Sequence, residues 1–111
     1  MNMECRDVLK CLFNIDENEI AIYKLLLKKK MRVNEIGGMA GRDRSTVQRC
    51  LQKLIKCGMV SREKRILEGG GYYYLYKAIP PNELKKWLLK CINRWQKEMR
   101  EAIKKIEEEI I

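Results

Sequence analysis

The chain has 111 residues, with 24 lysines and arginines against 15 aspartates and glutamates, a formal charge of +9 and no histidine. The length suits one domain, and the missing histidine removes His-based acid–base catalysis, His-activated nucleophiles and most transition-metal sites, so no enzyme, cofactor or metal site is expected. With 46% apolar residues the chain can build a core, and a basic domain without catalytic equipment points to an acidic partner, nucleic acid first.

The N-terminal stretch alternates charged with apolar residues and lacks a secretory signal. No apolar run approaches the roughly 18 residues that span a bilayer, so a cytoplasmic protein away from the membrane is expected. Val8, Leu9, Leu12 and Phe13 have helical spacing, predicting a first helix over residues 4–13. Asn14-Ile15-Asp16 breaks it. Asp16 caps a second helix, with Glu19 in capping-box position, running to about Lys30 and burying Ile20, Tyr23, Leu26 and Leu27. Lys28, Lys29 and Lys30 read as a solvated terminus that complements the helix dipole. Val33 to Ala40 is a short third helix, which Gly37 and Gly38 weaken by about 1 kcal/mol each.

Gly41 supplies a tight turn, and Asp43 caps a fourth helix from Arg44 to Cys57, stopped by Gly58. Its apolar stripe is Val47, Cys50, Leu51, Leu54 and Ile55. Arg44, Ser45, Gln48, Arg49, Gln52 and Lys53 fall largely on the other side. Two helices joined by a short glycine turn, the second rich in basic and amide side chains, form a helix-turn-helix pattern.

The period then changes. Residues 59–66 and 72–79 favour strands, joined through Leu67-Glu68-Gly69-Gly70-Gly71, and a hairpin in this place is a wing. Tyr72, Tyr74 and Tyr76 share one face and read as framework rather than as base-stacking groups. The glycine tip carries no basic residue, so Arg62, Lys64 and Arg65 on the rising strand are the expected phosphate contacts.

A final helix of about 30 residues starts near Pro81, far beyond the usual 11–12. Leu84, Leu88, Cys91, Trp95, Met99, Ala102, Ile106 and Ile110 recur along it about every 3.7 residues, and Trp87, Ile92 and Ile103 widen the stripe. An 80-residue domain cannot cover so long a stripe, so its outer half is expected to meet a second copy, with folding back over the first helix as the alternative. The expected division is residues 1–79 for the winged helix-turn-helix and residues 80–111 for the dimerisation helix.

Scarce polar groups are concentrated. Apart from tyrosine the hydroxyls are Ser45, Thr46 and Ser61, and the glutamines are Gln48, Gln52 and Gln96; four of these six lie between positions 45 and 52. Glutamine pairs with adenine, arginine with guanine, and hydroxyls with bases or phosphates. Charge follows the same pattern: residues 41–79 carry a net +6 of the +9. The five cysteines, Cys5, Cys11, Cys50, Cys57 and Cys91, are odd in number and lack a C-x-x-C pair. They read mainly as small buried hydrophobes. A redox-responsive pair is the alternative: Cys50 and Cys57 stand about 10 Å apart along one helix, too far to bond, which leaves an intersubunit bond through Cys5, Cys11 or Cys91.

The stretches VNEIGGMAGRDRSTVQRCLQKLIKCGMV and SREKRILEGGGYYYLYKAIPP resemble small single-domain MarR/TrmB-type winged-helix transcriptional regulators over residues 15–81. The resemblance implies a homodimer on a pseudo-palindromic operator, with the long helix as its dimerisation helix. It also implies that the sugar-binding extension of larger TrmB-type proteins is absent. Arg42 stands where such families place an apolar residue, and Gly37 where alanine is usual.

The sequence thus reads as a mostly α chain with a β-hairpin wing, a sequence-specific regulator of double-stranded DNA with no assigned small-molecule effector. Arg44, Gln48 and Arg49 are the expected base readers, and Ser45, Thr46, Gln52 and Lys53 contact backbone or bases. Arg62, Lys64 and Arg65 hold phosphates. Leu84, Leu88, Cys91, Trp95, Met99, Ala102 and Ile106 pair the subunits. The competing readings are an interaction module of a transcription or repair assembly without its own operator, and the cysteine-based redox regulator.

Overall fold

The computed structural model describes residues 5–110. Its elements are α1 (Cys5–Phe13), α2 (Glu17–Lys28), α3 (Val33–Ala40), α4 (Arg44–Lys56), β1 (Val60–Ile66), β2 (Tyr72–Ala78) and α5 (Pro81–Ile110). Residue 4, the expected start of the first helix, lies outside the described residues.

Local chemistry sets most boundaries. The Asp16 carboxylate accepts from the Glu19 amide at 2.9 Å, and Asp43 accepts from the Thr46 amide at 3.2 Å, each satisfying an otherwise unpaired donor of a first helical turn. The second half of the expected capping box does not form. The Glu19 carboxylate is buried and turns to Lys53 on α4, a full charge that stabilises a buried carboxylate more than one amide could. Gly41 enters the left-handed region at φ 66° and donates its N–H to the Gly37 carbonyl. Gly37 is more than a weak helix former: a Cβ there would lie 3.0 Å from the Arg42 carbonyl oxygen. A side chain there would push against the backbone of the tight turn. Arg42 itself reaches back to Asn18 Oδ1 at 2.6 Å, which accounts for a charged residue in a place that resemblance made apolar.

The core joins Ile22, Tyr23 and Leu26 of α2, Ile36 of α3, Val47, Leu51 and Leu54 of α4, and Met31, Val60 and Tyr76. Ile20 and Leu27, expected inside, are 40% and 43% exposed. Tyr23 and Leu26 are buried as expected, and the packing of α2 against α4, β2 and α3 turns Glu19 and Ile22 inward in place of the other two. Burial pushes the Tyr23 hydroxyl pKa up, and that hydroxyl donates to the Ile79 carbonyl at 2.6 Å.

The hairpin is antiparallel, with Arg62 opposite Tyr76, Lys64 opposite Tyr74 and Ile66 opposite Tyr72. Met31, between α2 and α3, exchanges two backbone hydrogen bonds with Tyr76, at 3.0 and 2.9 Å. This short bridge ties the root of the wing to the helical core.

The cysteines depart from expectation. Cys5 pairs with Cys91 and Cys11 with Cys57, at Cα separations of 5.1 and 5.4 Å, while Cys50 is free and buried. An odd count without local pairs hid this, because the partners are 86 and 46 residues apart. Intrachain pairing also replaces the intersubunit bond considered for Cys5, Cys11 and Cys91.

The inner part of α5 lies along α1, and the rest extends away. The radius of gyration is 18.2 Å, against about 13 Å for a compact chain of this length. The difference is the outer part of α5, a helix of 30 residues and about 45 Å in all at 1.5 Å per residue.

Candidate nucleic-acid interface

On α4, Val47, Cys50, Leu51 and Leu54 point into the core, while Arg44, Ser45, Gln48, Arg49 and Gln52 are exposed. The helical repeat sets Ser45, Arg49 and Gln52 along one outer row. Lys56, also exposed, continues that row; the same i, i+4, i+7, i+11 spacing would have found it in the sequence. Arg44 and Gln48 lie on the flank toward the wing, where Arg44 donates to Asn34 Oδ1 at 2.9 Å.

Two expected contacts are already engaged elsewhere. Thr46 is half-buried, and its amide and hydroxyl hold the Asp43 carboxyl below its ordinary pKa. Lys53 sits on the opposite flank from the wing. Its ammonium is 2.8 Å from Glu19 Oε1 and also donates to the Asn14 carbonyl. Glu19 is 3% exposed and its Oε2 has no partner. A buried carboxylate with one oxygen unpaired holds its counter-ion strongly, so Lys53 fixes the helix rather than offering its charge to a ligand.

The wing divides its three basic residues by strand alternation. Arg62 lies 4.1 Å from the centre of the Tyr74 ring and Lys64 4.1 Å from that of Tyr72, cations held over aromatic faces. Arg65 points to the other face, where it meets Glu63 at 3.2 Å beside Lys30 at 3.0 Å. These two cations hold the Glu63 carboxyl below its usual pKa. Arg62 and Lys64 therefore form one basic face, and Arg65 does not join it. Tyr76 is buried and Tyr74 half-buried as framework, whereas Tyr72 is 56% exposed. Between α4 and the wing runs a polar groove of about 330 Å³ lined by Arg32, Asn34, Arg44, Gln48 and the tyrosines. Arg32 stands 3.9 Å over the Tyr73 ring, a basic residue of this groove that sequence reasoning missed because it precedes α3 instead of lying on α4 or the wing.

The apolar stripe of α5 is also divided. Leu84 and Leu88 are half-buried, Leu84 against the core, and Cys91 is fully buried in its disulfide, so of these three Cys91 is committed to the chain's own fold. Beyond them Trp95, Met99, Ile103 and Ile106 are 45%, 43%, 54% and 55% exposed, and Ala102 is exposed too. Leu9, Leu12 and Phe13 of α1 face Ile92 and Trp95 across an apolar groove of about 590 Å³, and Phe13 is 92% exposed.

Residues 9–82 match the family described as sugar-specific transcriptional regulator TrmB. An uncharacterised protein of Methanocaldococcus jannaschii is 37% identical over 101 residues, covering 90% of this chain and 76% of that protein. Among solved structures, a possible transcriptional regulator from Methanosarcina mazei superposes with a TM-score of 0.67 at 27% identity, covering 90% of this chain and 86% of that one. The homodimeric winged helix-turn-helix DNA-binding domain of a possible ArsR-family regulator from Mycobacterium bovis gives a TM-score of 0.56 at 20% identity, covering 82% and 77%. That last likeness is one of fold. Among the described residues, no helix is long and apolar enough to cross a membrane.

Proposed function

The chain belongs to the TrmB family of DNA-binding transcriptional regulators, and we propose that it acts in the cytoplasm as a homodimer on a pseudo-palindromic operator. The observation that carries this reading is the exposed outer row Ser45, Arg49 and Gln52 on α4 with Gln48 on the adjoining flank, base-reading chemistry turned away from the core. Arg49, Gln48 and Arg44 read base edges, Ser45, Gln52 and Lys56 contact bases or backbone, and Arg62 and Lys64 hold phosphates beside the groove. The exposed residues of the outer α5, Trp95 to Ile106, pair two copies. The two α4 helices then enter successive major grooves about 34–36 Å apart.

Selection of bound duplexes from a random library tests the proposal. The expected product is a motif with two-fold symmetry and half-sites one helical turn apart. Binding that is highly salt-dependent and enriches no sequence would replace the operator with a role as a module inside a larger assembly.

A further inference from the structure

We propose that the two disulfides are a redox-gated clamp on the recognition helix, opened by an external dithiol, and that opening lowers operator affinity; this rests on the DNA-binding reading above. The argument begins with α1. It is nine residues long, shorter than the 12–15 at which isolated helices become even marginally stable in water. It is bonded near both ends, Cys5 to Cys91 in α5 and Cys11 to Cys57 at the C-cap of α4. Of its apolar residues Val8 is fully buried, but Leu9 and Leu12 are only half-buried and Phe13 is almost wholly exposed. The sulfurs therefore supply much of what keeps α1 docked.

The second observation is what α1 carries with it. Cys57 lies one helical turn beyond Lys53, so both face the corner between α1 and α2. There Lys53 bonds to the Asn14 carbonyl just past the end of α1 and to Glu19 on α2. The last turns of α4 are thus held by Cys11, Asn14 and Glu19 together. Breaking Cys11–Cys57 loosens the end of α1, and Asn14 with it, which leaves the Lys53–Glu19 pair and the core packing of Leu51 and Leu54 to hold that end of α4. A DNA-binding chain works where thiol reductants are abundant, and in such compartments disulfides are often transient and redox-sensing.

The chemistry balances by exchange. A dithiol's thiolate attacks one sulfur, giving a mixed disulfide and releasing a protein thiolate. The second dithiol sulfur then displaces the other cysteine, so each protein S–S bond gains two electrons and two protons while the dithiol leaves as a cyclic disulfide. Cys5 and Cys11 are half-buried, whereas Cys57 and Cys91 are wholly buried, so attack falls on the α1 sulfur of each pair.

The test uses the full chain, oxidised with oxidised glutathione or reduced with dithiothreitol, with each state verified by alkylation under denaturing conditions. The oxidised chain is expected to expose one thiol, Cys50, and the reduced chain all five. Affinity for the selected duplex is expected to fall by about tenfold on reduction, within the usual range for coupled sites. A Cys11→Ala/Cys57→Ala variant, shown to be folded by circular dichroism, is expected to bind near the reduced level before any dithiol is added; binding at the oxidised level overturns the proposal. Equal affinity in two verified states means the bonds are structural only, and five free thiols after oxidation mean that they do not form; either result overturns the proposal. If neither state binds any duplex, the operator reading fails by itself, and amide hydrogen exchange in α4 decides the clamp. Faster exchange on reduction supports it, and unchanged exchange overturns it.

Discussion

Gly37 and Arg42 meet closely: a Cβ added at Gly37 would lie 3.0 Å from the Arg42 carbonyl oxygen, whereas at its neighbour Gly38 the same carbon meets nothing within 4 Å. The Arg42 backbone cannot easily retreat, because its own N–H is bonded to the Gly37 carbonyl at 3.1 Å. Gly37→Ala is therefore expected to destabilise the fold although it improves helix propensity. Gly38→Ala is expected to stabilise it by about 1 kcal/mol. Thermal unfolding of the two variants checks the opposite signs; a shift in the same direction for both would refute the close-approach argument.

Lys53 and Glu19 should behave as a unit. Lys53→Met leaves a carboxylate buried without its counter-ion and is expected to cost about 3 kcal/mol. Glu19→Leu/Lys53→Met removes both charges and should recover most of that loss. Denaturant unfolding of the single and double variants gives the coupling, and strict additivity would mean that the pair contributes nothing.

The outer row of α4 and the basic face of the wing should separate by sequence dependence. Arg49→Ala is expected to cost about 1–3 kcal/mol of binding and to relax preference at one base position. Lys64→Ala should weaken all duplexes alike and reduce the salt slope by about one. Arg65→Ala, on the Glu63 face, should leave that slope nearly unchanged. Titrations at several salt concentrations distinguish the three, and a full slope change for Arg65→Ala would return it to the phosphate-binding set.

Pairing through the outer half of α5 predicts that Ile103→Asp/Ile106→Asp yields a folded monomer, since both side chains are already more than half exposed in the single chain. Sedimentation at several concentrations reads the result. Operator affinity should fall steeply with it, because the two half-sites would no longer bind as one. A dimer that survives both aspartates would move the interface elsewhere, to the α1–α5 groove first.

Acid should act through the helix caps. The Glu19 amide holds the Asp16 carboxyl, and the Thr46 hydroxyl and amide hold the Asp43 carboxyl, below their ordinary pKa in the fold. Their contribution is thus fully present above the unfolded value of about 3.9 and is lost as pH falls through the lowered folded values. Asp43→Asn keeps a capping oxygen but cannot titrate, so its thermal midpoint should fall less between about pH 5 and pH 2 than that of the parent chain. Parallel curves for the two would show that Asp43 does not contribute to the acid transition.

Elements were legible where local signals agreed. Asp16, Gly41, Asp43, Gly58 and Pro81 mark boundaries through backbone chemistry that needs no tertiary partner. The apolar stripe of α4 likewise shows which of its residues face outward. What stayed hidden depends on elements far apart in the chain. Glu19 fits a capping box until a lysine 34 residues away draws it inward. Cys91 fits an apolar stripe until Cys5 claims it. Lys53 differs from Gln52 only in which flank of the helix it occupies, a distinction that appears once α1 and α2 are in place.

The bridge from Met31 to Tyr76 makes the wing a cantilever. Its root is clamped, and Tyr74 still packs against the core, while the ribbon from Tyr76 to Tyr72 runs on for about 14 Å to a tip of three glycines with positive φ. Bending compliance therefore rises from Arg62, directly opposite Tyr76, to Lys64 and on to the tip. On the DNA-binding proposal, a wing of this build would keep a fixed point of entry at its base while its outer half followed variations in groove width, so one end would set register and the other absorb mismatch.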